Sequence, residues 1–376
     1  MNKKVIVAGH ICVDITPEVL GKKVSNLNEI LAPGKLIPSG DITISTGGAV
    51  ANTGLSMKLF GADVSLMGKV GKDDFGAIVQ RALRKYGCES DMIVSEKDVT
   101  SYSIILAIPG IDRIFFHNPG ANDVFYLKDM DMEKIKDAAL FHFGYPPIMR
   151  SMYENNGEEL VRIFKAVSEM GVLTSLDLAM IQEQSEAGMA DWQTILGKVL
   201  PHTDFFLPSV EELLLMLDKD KYHRILEKSG GRDITEVISL EEDVRPLAKR
   251  CIEMGAGCVI IKCGAPGLYY KTGGEEFARM LSERRGQDHS DWQEQEGFEA
   301  SYVPDRILSG TGAGDTAIGA FLTAMLNGYP LSRCMQLAAA AGASCVEAYD
   351  ALGGLKSFEQ LEERIDKGWE KNRGNL

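Results

Sequence analysis

Short, almost wholly apolar runs recur along the first two-thirds of the chain. They fall at Lys4–Ala8 (KVIVA), Asp63–Met67, Leu140–Phe143, Val172–Leu176, Asp204–Leu207 and Cys258–Lys262. Runs of four or five residues without polar alternation read as strands buried on both faces. Between them lie helical stretches: the run from Gly48 to Phe60, one ending near Tyr86, then Glu158–Met170, Trp192–Leu200, Val210–Leu217 and Val244–Met254. Strand and helix in alternation predict an α/β fold with a mostly parallel sheet flanked by helices.

Other stretches follow a different rhythm. Asp41–Ser45 (DITIS) is β-prone, and Thr100–Ile108 with Arg113–His117 flanks the turn sequence Pro109-Gly110-Ile111-Asp112, which predicts a hairpin. Gly264, Pro266 and Gly267 predict a second turn, between Val259–Lys262 and Leu268–Lys271, placed either as a plain hairpin or beside a bound nucleotide. Glu275–Glu299 is so polar that it reads as an exposed insertion. Two helices rich in small residues, Gly312–Leu326 and Leu331–Ala348, and a polar terminal helix complete the pattern, which has no internal repeat.

Composition narrows the function. The 376 residues are 45% hydrophobic and 25% charged, as in ordinary globular proteins, and carry a formal charge of −14. That charge disfavours non-specific contact with nucleic acid or an anionic membrane, but leaves a phosphate ligand open, since backbone amides can hold one. The seven cysteines are scattered without C-x-x-C spacing, which suits thiols in a reducing, cytoplasmic setting. No apolar run reaches the length of a membrane span and the start carries no cleavage signature.

The stretch richest in chemistry is Leu308–Phe321 (LSGTGAGDTAIGAF). A Gly/Ala turn there enters a helix, whose first N–H groups lack partners and carry the positive end of the dipole. Gly312, Ala313 and Gly314 let a phosphoryl group approach those amides, and Asp315 at the join can take a proton from an acceptor hydroxyl. Two other readings compete: a helix start that merely packs closely, and a dinucleotide fingerprint. The second is weak, because Pro304 and two charges spoil the preceding strand and no acidic residue follows about 20 positions on.

Further candidates lie toward the amino terminus. Asp14 follows the first strand, where α/β sheets bind ligands, although a solvated turn would also suit it. Gly47-Gly48 permits close backbone approach at a helix start, and Asn52 either binds a ligand or satisfies a neighbouring backbone group. Lys69 and Lys72 are not a Walker A motif, since neither precedes Ser or Thr.

Taken together, Gly310-Thr311-Gly312-Ala313-Gly314-Asp315 and the spacing of Gly47, Gly48, Asn52, Gly61 and Gly71 resemble the ribokinase-like sugar kinases, the PfkB family, over nearly the whole chain. The resemblance implies a ribokinase-like three-layer fold in a single domain spanning 1–376, with a small β-rich lid from segments near 12–46 and 99–120. It implies an ATP-dependent, Mg²⁺-requiring kinase acting on a hydroxyl of a sugar or sugar-like molecule. A nucleoside kinase of the same fold and a non-catalytic sugar- or nucleotide-binding regulator are the alternatives. In this reading Asp315 is the base and Gly312, Ala313 and Gly314 form the anion hole. Asp14, Gly47, Gly48 and Asn52 hold the acceptor. Lys262, Gly264, Gly267 and Thr311 border the nucleotide, and Glu212 serves the metal. A homodimer through the lids is expected.

Three departures stand out. Ser209 replaces the Asn of the family's Asn-x-x-Glu, and Ala179 replaces the Asn of its Asp-x-Asn, which begins at Asp177. Ser309 stands where the resemblance places a carboxylate serving K⁺, so independence from K⁺ is expected.

Overall fold

The computed structural model describes residues 4–21, 23–24, 26–27, 30–31, 33–34, 36–108 and 114–372. Its strands in chain order are β1 (Lys4–Gly9), β2 (Cys12–Val19), β3 (Ser39–Gly47), β4 (Asp63–Met67), β5 (Lys69–Gly71), β6 (Ile93–Ser95), β7 (Tyr102–Leu106), β8 (Ile114–Asn118), β9 (Leu140–Gly144), β10 (Leu173–Leu176), β11 (Phe205–Phe206), β12 (Cys258–Lys262), β13 (Gly267–Thr272) and β14 (Glu296–Ala300). Eight of them form the main sheet in the order β14-β13-β12-β11-β10-β9-β1-β4. The pairs from β4 to β12 are parallel, and β13 and β14 add an antiparallel edge. Each of the six apolar runs thus supplies one parallel strand.

Both faces of this sheet are covered, as continuous apolar runs require. On β1, Val5 and Val7 join a core with Phe205, Phe321 and Trp292, while Ile6 and Ala8 join another with Phe141, Phe143 and Phe164. On the first face the helices Ala49–Leu59, Ala313–Leu326 and Leu331–Cys345 stack on one another. Small residues make the stacking possible: a Cβ on Gly319 would lie 2.1 Å from Ser56 Oγ.

A second sheet, β3-β2-β7-β8, stands apart from the main one. β7 and β8 are the expected hairpin, registered from Tyr102↔Asn118 to Leu106↔Ile114, with its turn at 109–113 outside the described residues. Asp14 lies inside β2, opposite Ser45 of β3, and not in a turn after β1. Lys69–Gly71 is a short strand paired with β6, and Lys69 is spent on Val124 O (2.7 Å) and the Asp129 carboxylate.

The polar stretch 275–299 is not an exposed insertion. It forms the helix Glu275–Arg285 and edge strand β14, with Trp292 wholly buried between them. Phe277, Ala278 and Leu281 share one face of that helix, and the Trp292 ring meets Phe205 and Phe321 edge-on or tilted at 6.3 and 6.0 Å. A few well-spaced apolar residues anchor a segment whose average composition is polar.

Candidate active site

Tyr145 after β9, Asp177 after β10 and Lys262 at the end of β12 gather at the start of the helix Ala313–Leu326. Gly312 is its N-cap, with φ 77° and ψ 0°. That backbone suits glycine, and a Cβ there would also lie 2.3 Å from Ala351 Cβ. The turn before it is tightened by Ser309 Oγ, which accepts from Thr311 N at 3.1 Å and donates to Thr311 Oγ1 at 3.0 Å. Gly314 faces Lys262, whose Cδ would be 3.2 Å from an added Cβ. The amides of Gly312, Ala313 and Gly314 and the Lys262 ammonium therefore share one corner.

Asp315, on the first helical turn, is only 4% exposed. Asn52 Nδ2 donates to its Oδ2 at 2.9 Å, and Thr53 Oγ1 stands 3.5 Å from Oδ1. Tyr145 OH lies 2.8 Å from both carboxylate oxygens. Burial lifts the Asp315 pKa above the ordinary carboxylate value, against the opposing pull of Asn52, Lys262 and Tyr145. The helix terminus alone suggests an easily ionised group. In place, desolvation outweighs it.

Tyr145 is a site residue that the sequence pattern does not single out. It is a non-glycine residue in the left-handed region, φ 67° and ψ 37°, directly before Pro146. Such a backbone costs on the order of 1–3 kcal/mol and persists only where surrounding structure enforces it. The one available signal is its position one residue past the carboxyl end of β9.

Lys262 ends β12 and reaches Asp177 Oδ1 at 2.5 Å, with Asp177 fully buried. Burial works against the ammonium, but Asp177 and Glu212 more than offset it and raise the Lys262 pKa. Asp177 is itself pushed up by burial, with Lys262 pulling the other way, and its Oδ2 has no hydrogen-bond partner. Glu212 is 7% exposed and closes a capping box: Ser209 N donates to Glu212 Oε2 at 2.6 Å and Glu212 N donates to Ser209 Oγ at 3.2 Å. The Ser-for-Asn departure thus leaves the helix start properly capped.

Asp14 joins this region through its neighbours. Cys12 Sγ donates to Asp14 Oδ1 at 3.3 Å, and burial raises the Asp14 pKa. A Cβ on Gly47 would sit 2.1 Å from Asp14 Oδ2, so the glycine makes room for the carboxylate. Gly48, with φ 86°, similarly leaves space for His10, whose backbone oxygen would lie 2.5 Å from an added Cβ. The His10 ring lies 5.1 Å from His117 and 6.2 Å from Tyr145. A continuous wall thus runs from the small sheet to Asp315. Gly264 and Gly267 make the tight β12–β13 turn, where a Cβ on Gly267 would meet Glu299 O at 2.2 Å. That contact is a packing reason for glycine there, independent of any ligand.

Comparison with known proteins fits this geometry. Residues 2–356 match the model of the pfkB family carbohydrate kinases, and the chain belongs to that family. It is therefore a carbohydrate kinase, a phosphotransferase with an alcohol group as acceptor and ATP as donor. An uncharacterized sugar kinase of Archaeoglobus fulgidus is 24% identical over 80% of this chain and 98% of its own. Fructokinase-2 of Oryza sativa subsp. japonica is 22% identical over 96% and 94%. Among solved structures, Arabidopsis thaliana ribokinase complexed with ribose and ATP superposes with a TM-score of 0.70 at 18% identity, over 96% of this chain and 98% of that one. The fold is ribokinase-like. Among the described residues no helix is long and apolar enough to cross a membrane.

Proposed function

We propose that Asp315 is the general base of a sugar kinase and that the turn Thr311–Gly314 holds the phosphoryl group in transit. The observation that carries this reading is the Asp315 carboxylate, buried and oriented by Asn52 at 2.9 Å, one residue past the Gly312–Gly314 turn. Asp315 takes the proton as the acceptor hydroxyl attacks the γ-phosphorus. Burial, by raising its basicity, makes it a better proton acceptor. Helix amides and the Lys262 ammonium, beside Gly314, offset the charge that builds on the phosphoryl oxygens. Thr311 and the β12–β13 turn at Gly264 and Gly267 border the nucleotide.

Mg²⁺ characteristically takes one or two carboxylates together with phosphate oxygens and water. Glu212 and Asp177, the latter with a partnerless buried Oδ2, suit that role. Bound there, the ion would neutralise phosphate charge and orient the phosphates for in-line transfer.

The acceptor lies against Asp14, Gly47, Gly48 and Asn52, beneath the small sheet acting as a lid on a single kinase domain. Asn52 orients the base as well as facing the acceptor. The outer strands β3 and β8 expose Ile42, Ile44, Phe115 and Phe116, each about half accessible, which supports pairing of two lids in a homodimer. The test is ADP formation with a panel of free sugars and nucleosides. Turnover of a sugar that disappears in Asp315→Asn is expected. Turnover of nucleosides alone, or full activity in the variant, would overturn the reading.

A further inference from the structure

We infer that Tyr145 is a guard on the catalytic base, its hydroxyl holding the place of the acceptor hydroxyl so that water is not activated when no sugar is bound. The inference rests on the assignment of Asp315 as base.

The geometry comes first. The phenol oxygen lies 2.8 Å from Oδ1 and 2.8 Å from Oδ2, astride the carboxylate edge that an acceptor hydroxyl must reach. Asn52 takes the other approach to Oδ2 and Thr53 stands over Oδ1. With these three groups in place, both oxygens of the carboxylate already face a donor.

The position is enforced from the backbone. Tyr145 sits in the left-handed region between Gly144, the last residue of β9, and the Pro146-Pro147 turn. Its N–H donates to Asp177 O at 3.4 Å and its carbonyl accepts from Ile148 N at 3.2 Å. A relaxed extended backbone would send the ring elsewhere. Strain of this kind, at the end of a central strand and aimed at the base, points to function.

The chemistry suits a guard better than a reactant. A phenol carries its proton at neutral pH, so the Tyr145 hydroxyl donates to the Asp315 carboxylate. The side reaction it blocks is simple. A water oxygen bonds to the γ-phosphorus of ATP, its proton passes to Asp315, and the bond from that phosphorus to the bridging oxygen of the leaving ADP breaks. The ring is half-buried, with His10 beside it. Contacts to a whole sugar can displace the hydroxyl, whereas a single water has nothing to offset the lost bonds.

The experiment needs no knowledge of the natural acceptor. Phosphate release from Mg-ATP, without any sugar, is measured for the wild type, Tyr145→Phe, Asp315→Asn and the double variant, each checked by thermal melting. Tyr145→Phe keeps the ring and should raise acceptor-free hydrolysis by about tenfold or more, within the ~10²–10⁴-fold that a positioned base contributes. The double variant should lose the rise. Tyr145→Asn, which tolerates the left-handed backbone and is shorter, should behave like the Phe variant and covers a folding failure of the first. A merely structural tyrosine predicts a loss of rate, not a gain. Hydrolysis within about twofold of wild type in both folded variants overturns the guard. A rise that persists in the double variant overturns Asp315 as base, and the guard with it.

Discussion

Replacing Asp315 by Asn should make the enzyme almost inactive and, at neutral pH, more stable. The substitution is isosteric and keeps an oxygen to accept from Asn52 and Tyr145, so packing is preserved. What changes is a buried charge. Because burial raises the folded-state pKa of Asp315 above its unfolded value, the folded protein binds this proton more tightly than the unfolded chain. The stability from that tighter binding is fully present below the unfolded pKa, about 3.9, and is lost as pH rises through the folded pKa. Above the folded pKa the wild type has lost it all. Every tenfold by which the fold weakens this acid then amounts to about 1.4 kcal/mol. The Asn variant carries no such penalty. With unfolding entropy of about 2.1 cal/mol/K per residue, 1.4 kcal/mol corresponds to roughly 2 °C in melting temperature for a chain of this length. Melting curves at pH 8 and pH 5 are the measurement: the variant should exceed the wild type at pH 8, and the gap should narrow at pH 5. Over the same range kcat should fall by ~10²–10⁴-fold for want of the base, while nucleotide binding persists on the backbone amides. A variant less stable than wild type at pH 8, or a gap that widens toward pH 5, would refute the desolvation argument. Near-normal kcat would refute the base.

Asp14→Ala should weaken sugar binding by about 1.5–3 kcal/mol, the range for a charge-assisted hydrogen bond, with ATP affinity little changed; calorimetry showing equal sugar affinity would remove Asp14 from the acceptor site. Turnover should not depend on K⁺. Val346 O accepts from Leu308 N at 2.8 Å, Glu347 O from Arg306 Nε at 3.2 Å, and Asp305 is paired with Arg364, so these three groups near the anion-hole turn already have donors. A several-fold gain on adding millimolar K⁺, absent with a bulky organic cation, would show that a cation site survives. Sedimentation at micromolar concentration should find a dimer, and a charged substitution at Phe116 or Ile44 should dissociate it; a monomeric wild type would count against lid pairing.

Much of this protein was legible in one dimension because its physics is local. Six apolar runs without polar alternation demand strands covered on both faces, and each became a parallel strand of the main sheet. The Gly312–Gly314 turn before an apolar helix announces a place where backbone amides can meet an anion, whatever surrounds it. Tertiary structure decided what depends on distance. Composition made 275–299 look solvated, yet burial depends on which few side chains find the core, and Trp292 finds Phe205 and Phe321 from far along the chain. Asp315 looked like a freely ionised residue at a helix start until Asn52 and Tyr145, 263 and 170 positions away, enclosed it. A pKa follows from solvent exclusion and neighbouring charge, and both are set by strands and helices that meet only in the folded state. For the same reason no local pattern marked Tyr145: only folding brings its hydroxyl onto the carboxylate.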